Sequence, residues 1–137
     1  MLHLEVITPA GSVLSTPADA VTAPGSEGEF QVLPSHLPTL AILGGGKLSY
    51  TAKGEQHSIF LRGGVIEVTQ DAENPADGRV LVLAEETQRA GELDAERANT
   101  LAEAAQTEFS SGDYLTDERL GKIRQDLGFA EAVLAEA

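Results

Sequence analysis

The sequence predicts an α+β chain in which an antiparallel β-sandwich, residues 1–86, is followed by an antiparallel hairpin of two helices, residues 87–137. Two observations predict this division. Up to Glu86 the chain consists of short segments rich in Val, Thr, Gly and Pro, which favour strands and turns. Beyond Glu86 there are no prolines, and Ala, Leu, Glu and Arg dominate, the residues that lose least entropy in a helix.

The strands of the first part are indicated by alternating apolar residues and by short apolar runs. These are Leu2, Leu4 and Val6; Leu48 and Tyr50; Ile59 and Leu61; residues 65–69; and residues 80–84. Side chains two positions apart lie on the same face of a strand, so the patterns predict strands with one buried face. Because turn residues separate these segments at intervals of about ten residues, we expect a sandwich of two packed sheets.

The helices of the second part are indicated by two apolar stripes. The first stripe consists of Ala98, Leu101, Ala102, Ala105 and Phe109, and the second of Leu120, Ile123, Leu127, Ala130 and Leu134. Both have the spacing of one helical face. Residues 110–113 interrupt the pattern, and Thr116 is the predicted N-cap of the second helix. Two stripes joined by a short loop predict an antiparallel helical hairpin.

Composition and charge exclude several classes of function. The chain has 22 acidic and 9 basic residues and a net charge of −13, which opposes binding to nucleic acid or to anionic lipid. It has no cysteine, so disulfides and thiolate chemistry are excluded. No apolar run reaches the length of about 20 residues that spans a bilayer, so we expect a soluble chain without direct membrane insertion.

Residues 24–40 are unusually dense in turn-forming and polar residues. They contain three prolines, two glycines, Glu27, Glu29 and His36. Alternating Pro and Gly predict short strands separated by defined corners that hold polar groups in place. Three further motifs follow: Arg-Gly-Gly-Val-Ile-Glu-Val at 62–68, Val-Leu-Val-Leu-Ala-Glu at 80–85, and Leu-Asp-Ala-Glu-Arg-Ala at 93–98.

In this order and at this spacing, the four motifs resemble the epsilon subunit of F-type ATP synthases, called delta in mitochondria. The resemblance implies a non-catalytic subunit of the central stalk, whose sandwich binds the gamma subunit and rests on the c-ring, and which couples c-ring rotation to ATP synthesis. It places Glu29 and His36 at the interface with the c-ring and gamma. It also implies a peripheral location on the cytoplasmic face of the bacterial inner membrane, or the organellar equivalent. Without the resemblance, Glu29 is a solvated turn carboxylate and His36 a hydrogen-bonded residue at a strand end.

The motif at 93–98 has two readings. Asp94 and Arg97 can be an ordinary first-turn pair of a helix, which stabilises the helix by about 0.3–0.5 kcal/mol. In some bacterial members of the family the motif binds ATP, which would make Leu93, Asp94, Arg97 and Ala98 a regulatory ATP site. No other cofactor is expected.

The resemblance also implies a regulatory role for the helical hairpin. In bacterial relatives the hairpin extends along gamma, reaches the alpha and beta subunits and inhibits ATP hydrolysis. Basic residues of the second helix make the inhibitory contacts, and Arg119, Lys122 and Arg124 are the candidates here. Acidic residues outnumber them on this helix, so weaker engagement is expected.

Other classes of function remain open on the residues alone. Glu27 and Glu29 could act as the acid and base of a carbohydrate-active domain, although such a pair needs a pocket that separates the two pKa values. The three histidines lack metal-ligand spacing, so no metal site is expected. An autonomous acidic β-sandwich binding module with a helical tail fits the composition equally well.

Overall fold

The computed structural model describes residues 1–111 and 115–136. Eight strands come first along the chain: β1 (Leu2–Thr8), β2 (Gly11–Ala18), β3 (Ala20–Gly25), β4 (Gly28–Val32), β5 (Thr39–Ala52), β6 (Glu55–Thr69), β7 (Arg79–Ala84) and β8 (Thr87–Arg89). A single 3₁₀ turn (Ala90–Glu92) then leads to the helices α1 (Ala95–Phe109) and α2 (Asp117–Glu136). The predicted α+β class is confirmed.

The strands form one hydrogen-bonded path in the order β2-β1-β7-β6-β5-β3-β4, and β8 adds to β6 outside this path. All neighbouring pairs are antiparallel except β1 and β7, which are parallel. Strands β1 and β3 are not neighbours in the path, yet their side chains share one core. The sheet therefore folds over on itself. The two layers of the sandwich are therefore one continuous sheet.

The long strands β5 and β6 run through both layers. One side of β6 pairs with β5 along almost the whole strand. The other side pairs with β8 up to Leu61 and with β7 from Gly64 onward, so the partner on this side changes near Gly63. Gly63 has a φ of 75°, which is costly for any residue with a Cβ. Glycine at this position allows the strand to change direction between the layers.

Alternating side chains fill the space between the layers. The core consists of Leu2, Leu4, Val6, Ala18, Val21, Ala23, Val32, Leu43, Leu48, Ile59, Leu61, Ile66, Val68, Val80, Val82 and Ala84. The predicted alternations at Leu2, Leu4 and Val6 and at Ile59 and Leu61 are confirmed as core positions. Tyr50 is half-buried and packs against this core.

Helix α1 follows the predicted stripe except at its end. Ala98, Leu101 and Ala105 are buried, whereas Phe109 is 61% exposed. The prediction was wrong for Phe109 because the first turn of α2 carries polar side chains, and one of them, Arg119, pairs with Glu108 beside it. Phe109 therefore lies outside the second core, which consists of buried residues of α1, α2 and β6.

Helix α2 is buried on a wider surface than the predicted stripe. Ile123, Phe129, Ala130 and Val133 are buried, while Leu120, Leu127 and Leu134 are half-buried. The reason is that α2 packs on α1 and on the sheet together, in a second core with Phe60 of β6, Ala98 and Leu101. The hydroxyl of Thr116 accepts a hydrogen bond from the N–H of Arg119 at 3.2 Å, so the predicted cap is confirmed. Of the predicted break at 110–113, Gly112 and Asp113 lie outside the described residues.

Candidate functional site

Glu29 lies on β4, opposite Pro24 of β3, with its side chain exposed. The strand begins at Gly28, directly after the turn at Ser26 and Glu27, with a φ of 132° that glycine adopts readily. Within the described part of the chain, the Glu29 carboxylate has no hydrogen-bond or ion-pair partner. The carboxylate is therefore available to a cation outside this chain.

His36 lies in the loop between β4 and β5. Its backbone N–H donates to the carbonyl of Leu33 at 3.0 Å, and its ring Nδ1 lies 2.7 Å from the carbonyl oxygen of Leu37. The amide of Gln70, at the end of β6, donates to the carbonyl of His36 at 3.0 Å. These bonds fix the loop and leave Nε2 of the ring as the nitrogen that could face a partner. No contact between His36 and Glu29 occurs among the described residues.

The outer face of the layer formed by β5, β6, β7 and β1 carries a row of apolar side chains. Ile42 pairs with Val65, Val65 with Leu83, and Leu83 with Ile7, so the four side chains share one face. Ile42 is 60% exposed, and Leu40, two residues before it on the same face, is 72% exposed. We call Ile7, Leu40, Ile42, Val65 and Leu83 the open face. The exposed Glu67 pairs with Leu40 on this face, so the apolar row along Ile42, Val65, Leu83 and Ile7 has an acidic neighbour. An exposed apolar row of this kind is typical of a protein interface.

The residues of the predicted ATP motif cap a helix, pack in the second core and form an ion pair in this fold. The Asp94 carboxylate caps α1 by accepting a hydrogen bond from the N–H of Arg97 at 2.9 Å. Leu93 and Ala98 pack in the second core. The Arg97 guanidinium binds Glu86 through two hydrogen bonds, Nε to Oε2 at 3.1 Å and Nη2 to Oε1 at 2.8 Å.

Glu86 belongs to a larger group of charges that the sequence did not indicate. Arg62 of β6 donates from Nε to Glu86 Oε1 and from Nη1 to Asp126 Oδ1 of α2, both at 3.1 Å. We call Arg62, Glu86, Arg97 and Asp126 the ion-pair cluster. No local signal could have found it, because Arg62 is 24 residues from Glu86 and 64 from Asp126.

The two arginines change the titration of Glu86. The hydrogen bonds from Arg97 hold the pKa of the Glu86 carboxyl below its ordinary value, against the opposing effect of partial burial, and the charge of Arg62 adds to this. The same bonds raise the pKa of Arg97. Both arginines already face carboxylates, so the motif at 93–98 does not present a free guanidinium to a triphosphate in this arrangement. Binding of ATP by residues 93–98 stays a prediction, and in this arrangement it would require Arg97 to release Glu86.

The three candidate inhibitory cations are all on α2 and exposed, but they do not form one stripe. Arg119 binds the Glu108 carboxylate of α1. Lys122 and Arg124 have no partner among the described residues. Because they are two residues apart on a helix, their side chains point about 160° apart. A single flat partner surface could contact Arg119 and Lys122 together, but not Lys122 and Arg124.

Two further observations concern the residues that the structure describes. No group of three or more His, Asp or Glu side chains in ranges 1–111 and 115–136 is arranged to hold a metal ion. Neither α1 nor α2 is both long and apolar enough to cross a membrane.

Comparisons with known proteins agree with the fold. A family model described as ATP synthase, Delta/Epsilon chain, beta-sandwich domain matches residues 1–90. An ATP synthase epsilon chain of Nitratidesulfovibrio vulgaris strain DP4 is 41% identical over 134 residues, covering 98% of this chain and 87% of that protein. The epsilon chain of the Miyazaki F strain is 50% identical over 97 residues, covering 71% and 67%.

A solved structure is also similar over most of the chain. It is a chain of the Euglena gracilis mitochondrial ATP synthase, in a structure of OSCP, F1 and c-ring, with a TM-score of 0.70 and 25% identity. The match covers 96% of this chain and 78% of that one. The family match over the whole sandwich and the identity over nearly the whole length lead to one conclusion: the chain belongs to the ATP synthase delta/epsilon chain family.

Proposed function

We propose that this chain is a central-stalk subunit of a proton-translocating F-type ATP synthase, which couples rotation of the c-ring to ATP synthesis through gamma. It is a non-catalytic subunit, as its family membership indicates. The observation that carries the proposal is the open face, a row of exposed apolar side chains on a two-layer sandwich with a packed core. Transmission of torque requires a stiff body with a broad contact, and close packing between the layers supplies the stiffness.

In this proposal the open face binds gamma. Ile42, Val65 and Leu83 lie in register across three strands, so an apolar partner surface can contact all of them without rearrangement of the sheet. Burial of exposed apolar side chains is the main source of affinity in stable interfaces. Because the chain has a net charge of −13, an acidic partner surface would be repelled. The contact on gamma is therefore expected to be apolar or to include basic residues.

The c-ring contact is proposed at the corner that holds Glu29 and at the loop that holds His36. The Glu29 carboxylate, which is unpaired in ranges 1–111 and 115–136, can pair with a basic side chain of a c-ring loop. Next to His36, Leu37 is 75% exposed at the surface of a loop that hydrogen bonds hold in place. These contacts would place the subunit at the membrane periphery, on the cytoplasmic face of the bacterial inner membrane or its organellar equivalent.

The gamma contact can be tested by co-purification. Ile42→Asp should abolish recovery of this chain with tagged gamma, because it places a charge in the middle of the open face. Phe109→Asp is the matched control, since Phe109 is 61% exposed, as Ile42 is 60% exposed, but lies at the end of α1. Recovery of the Ile42→Asp chain at the level of the control would refute the proposed surface.

We also propose that α1 and α2 inhibit ATP hydrolysis when they leave the sandwich and extend along gamma towards the alpha and beta subunits. Arg119 and Lys122, which lie on one side of α2, would then meet acidic residues of beta, while Arg124 would contact a different surface. A chain that ends after Glu92 keeps β8 and removes both helices. In the reconstituted complex this truncation should raise ATP hydrolysis, and an unchanged rate at equal assembly would refute the inhibitory role.

A further inference from the structure

The ion-pair cluster joins both helices to the sandwich. Arg62 is on β6, Glu86 is between β7 and β8, Arg97 is on α1 and Asp126 is on α2. Glu85, beside Glu86, adds a longer contact with Arg62 at 3.7 Å. Asp94 is the remaining acid of α1 near Arg97, and its oxygen is used by the N-cap. The sandwich and both helices therefore meet at one set of charges.

The cluster is partly shielded from water and nearly balanced in charge. The side chains of Arg62, Glu86 and Asp126 are 18%, 24% and 15% exposed, and that of Arg97 is 40% exposed. Two guanidinium groups face two carboxylates, with Glu85 at the exposed edge. Partly buried charge pairs are screened less by salt than surface pairs are. Loss of one partner also leaves the other charge unpaired in a partly buried site.

A contact between two backbones lies beside the cluster. Gly45 of β5 faces the carbonyl of Gln125 and the N–H of Phe129 on α2 so closely that a Cβ at Gly45 would lie 2.6 Å from that nitrogen. A Cβ at Gly128 would overlap the carbonyl of Gly45. We call this approach of Gly45 and Gly128 the glycine contact. The side chain of Gln125 strengthens it by donating to the carbonyl of Leu43 at 3.3 Å.

We propose that the ion-pair cluster and the glycine contact together hold α1 and α2 on the sandwich without any bound nucleotide. The carboxylates of Glu86 and Asp126 already form ion pairs with Arg62 and Arg97, the arginines that an anionic ligand would need. A triphosphate would have to displace at least one of these carboxylates, and the gain from binding would be offset by the loss of an existing pair. The docked arrangement is therefore set by the chain itself and not by the supply of ATP. This inference concerns the isolated chain and stands independently of its role in the complex.

Hydrogen exchange of α2 amides in the isolated full-length chain tests the ion-pair cluster. Asp126→Asn removes the charge that binds Arg62, and exchange of the docked part of α2 should become about tenfold faster, the effect of losing one charged hydrogen bond. Glu131→Gln is the matched control, because Glu131 is an exposed acid on the same helix without a partner in the described residues. Equal exchange in the two variants would overturn the role of the cluster.

The glycine contact is tested in the same assay by two neighbouring glycines. At Gly45 an added Cβ collides with the backbone of α2, whereas at Gly44 its nearest neighbours are at 3.6 and 3.7 Å, an ordinary contact. Gly45→Ala should therefore accelerate α2 exchange strongly, and Gly44→Ala should leave it near the wild-type rate. If both variants exchange alike, the backbone contact does not hold the helix.

Added Mg-ATP tests independence from the nucleotide. The wild-type chain should show the same α2 exchange with and without Mg-ATP at millimolar concentration. Protection that increases about tenfold or more on addition of ATP would overturn the proposal and would restore residues 93–98 as a nucleotide site. Because the assay uses the isolated chain, failure here leaves the gamma co-purification and the truncation experiment to decide the proposed function separately.

Discussion

Replacement of Gly128 by alanine should weaken the docking of α2, whereas the same replacement at Gly121 should strengthen the helix. Both glycines are in the interior of α2, so each replacement removes the same intrinsic penalty, about 0.8–1 kcal/mol. At Gly121 nothing lies within 4 Å of the added Cβ. The free energy of unfolding should therefore rise by about 1 kcal/mol at that position.

At Gly128 the structure adds an opposing term. The new Cβ would overlap the carbonyl oxygen of Gly45 and lie 3.1 Å from its carbon, so α2 must retreat by about 1 Å to restore ordinary contact. Overpacking of this kind costs about 1–3 kcal/mol. Gly128→Ala should then be less stable than Gly121→Ala by about 1–3 kcal/mol, and the retreat should lengthen the bond from Gln125 to Leu43.

Urea unfolding followed by far-ultraviolet circular dichroism measures this difference, and hydrogen exchange of α2 locates it. The double variant with both alanines should show the sum of the single effects, because the two positions are about two helical turns apart. Equal stabilisation by both single variants would mean that α2 does not approach β5 in solution as closely as the structure shows.

Three further outcomes are expected. The pKa of Glu86 is lowered from its ordinary value of 4.5. The Glu86 carboxylate therefore stabilises the fold above that pH, and this stabilisation is lost as the pH falls through the lower folded pKa. The stability difference between the wild type and Glu86→Gln should shrink over that range and stay constant near neutrality. Phe129→Ala should lower the free energy of unfolding by about 3–5 kcal/mol, because Phe129 is fully buried, while Phe109→Ala should change it by less than about 0.5 kcal/mol in urea titrations. Asp94→Ala should cost about 1 kcal/mol by loss of the N-cap, and Asp94→Asn should retain most of that stability; equal losses in thermal or urea unfolding would contradict the capping role.

The sequence alone determined the kinds of element and much of the inner core. Alternation at Leu2, Leu4 and Val6 assigned the buried face of β1, and the side chain of Thr116 indicated the start of α2. Both signals are local, because a strand repeats every two residues and a cap involves residues three apart. The family resemblance likewise depended on short motifs that can be read along the chain.

Only the tertiary structure decided what the helices and the outer faces of the sheet contact. Phe129 is buried because α2 rests on the sheet as well as on α1, and a single helical stripe does not reveal a second partner. Arg62 meets Asp126 across 64 residues of chain, and Gly128, which is costly in an isolated helix, becomes necessary where α2 touches Gly45. Local patterns specify which face of an element is apolar, but the choice of partner for that face depends on how distant segments pack together.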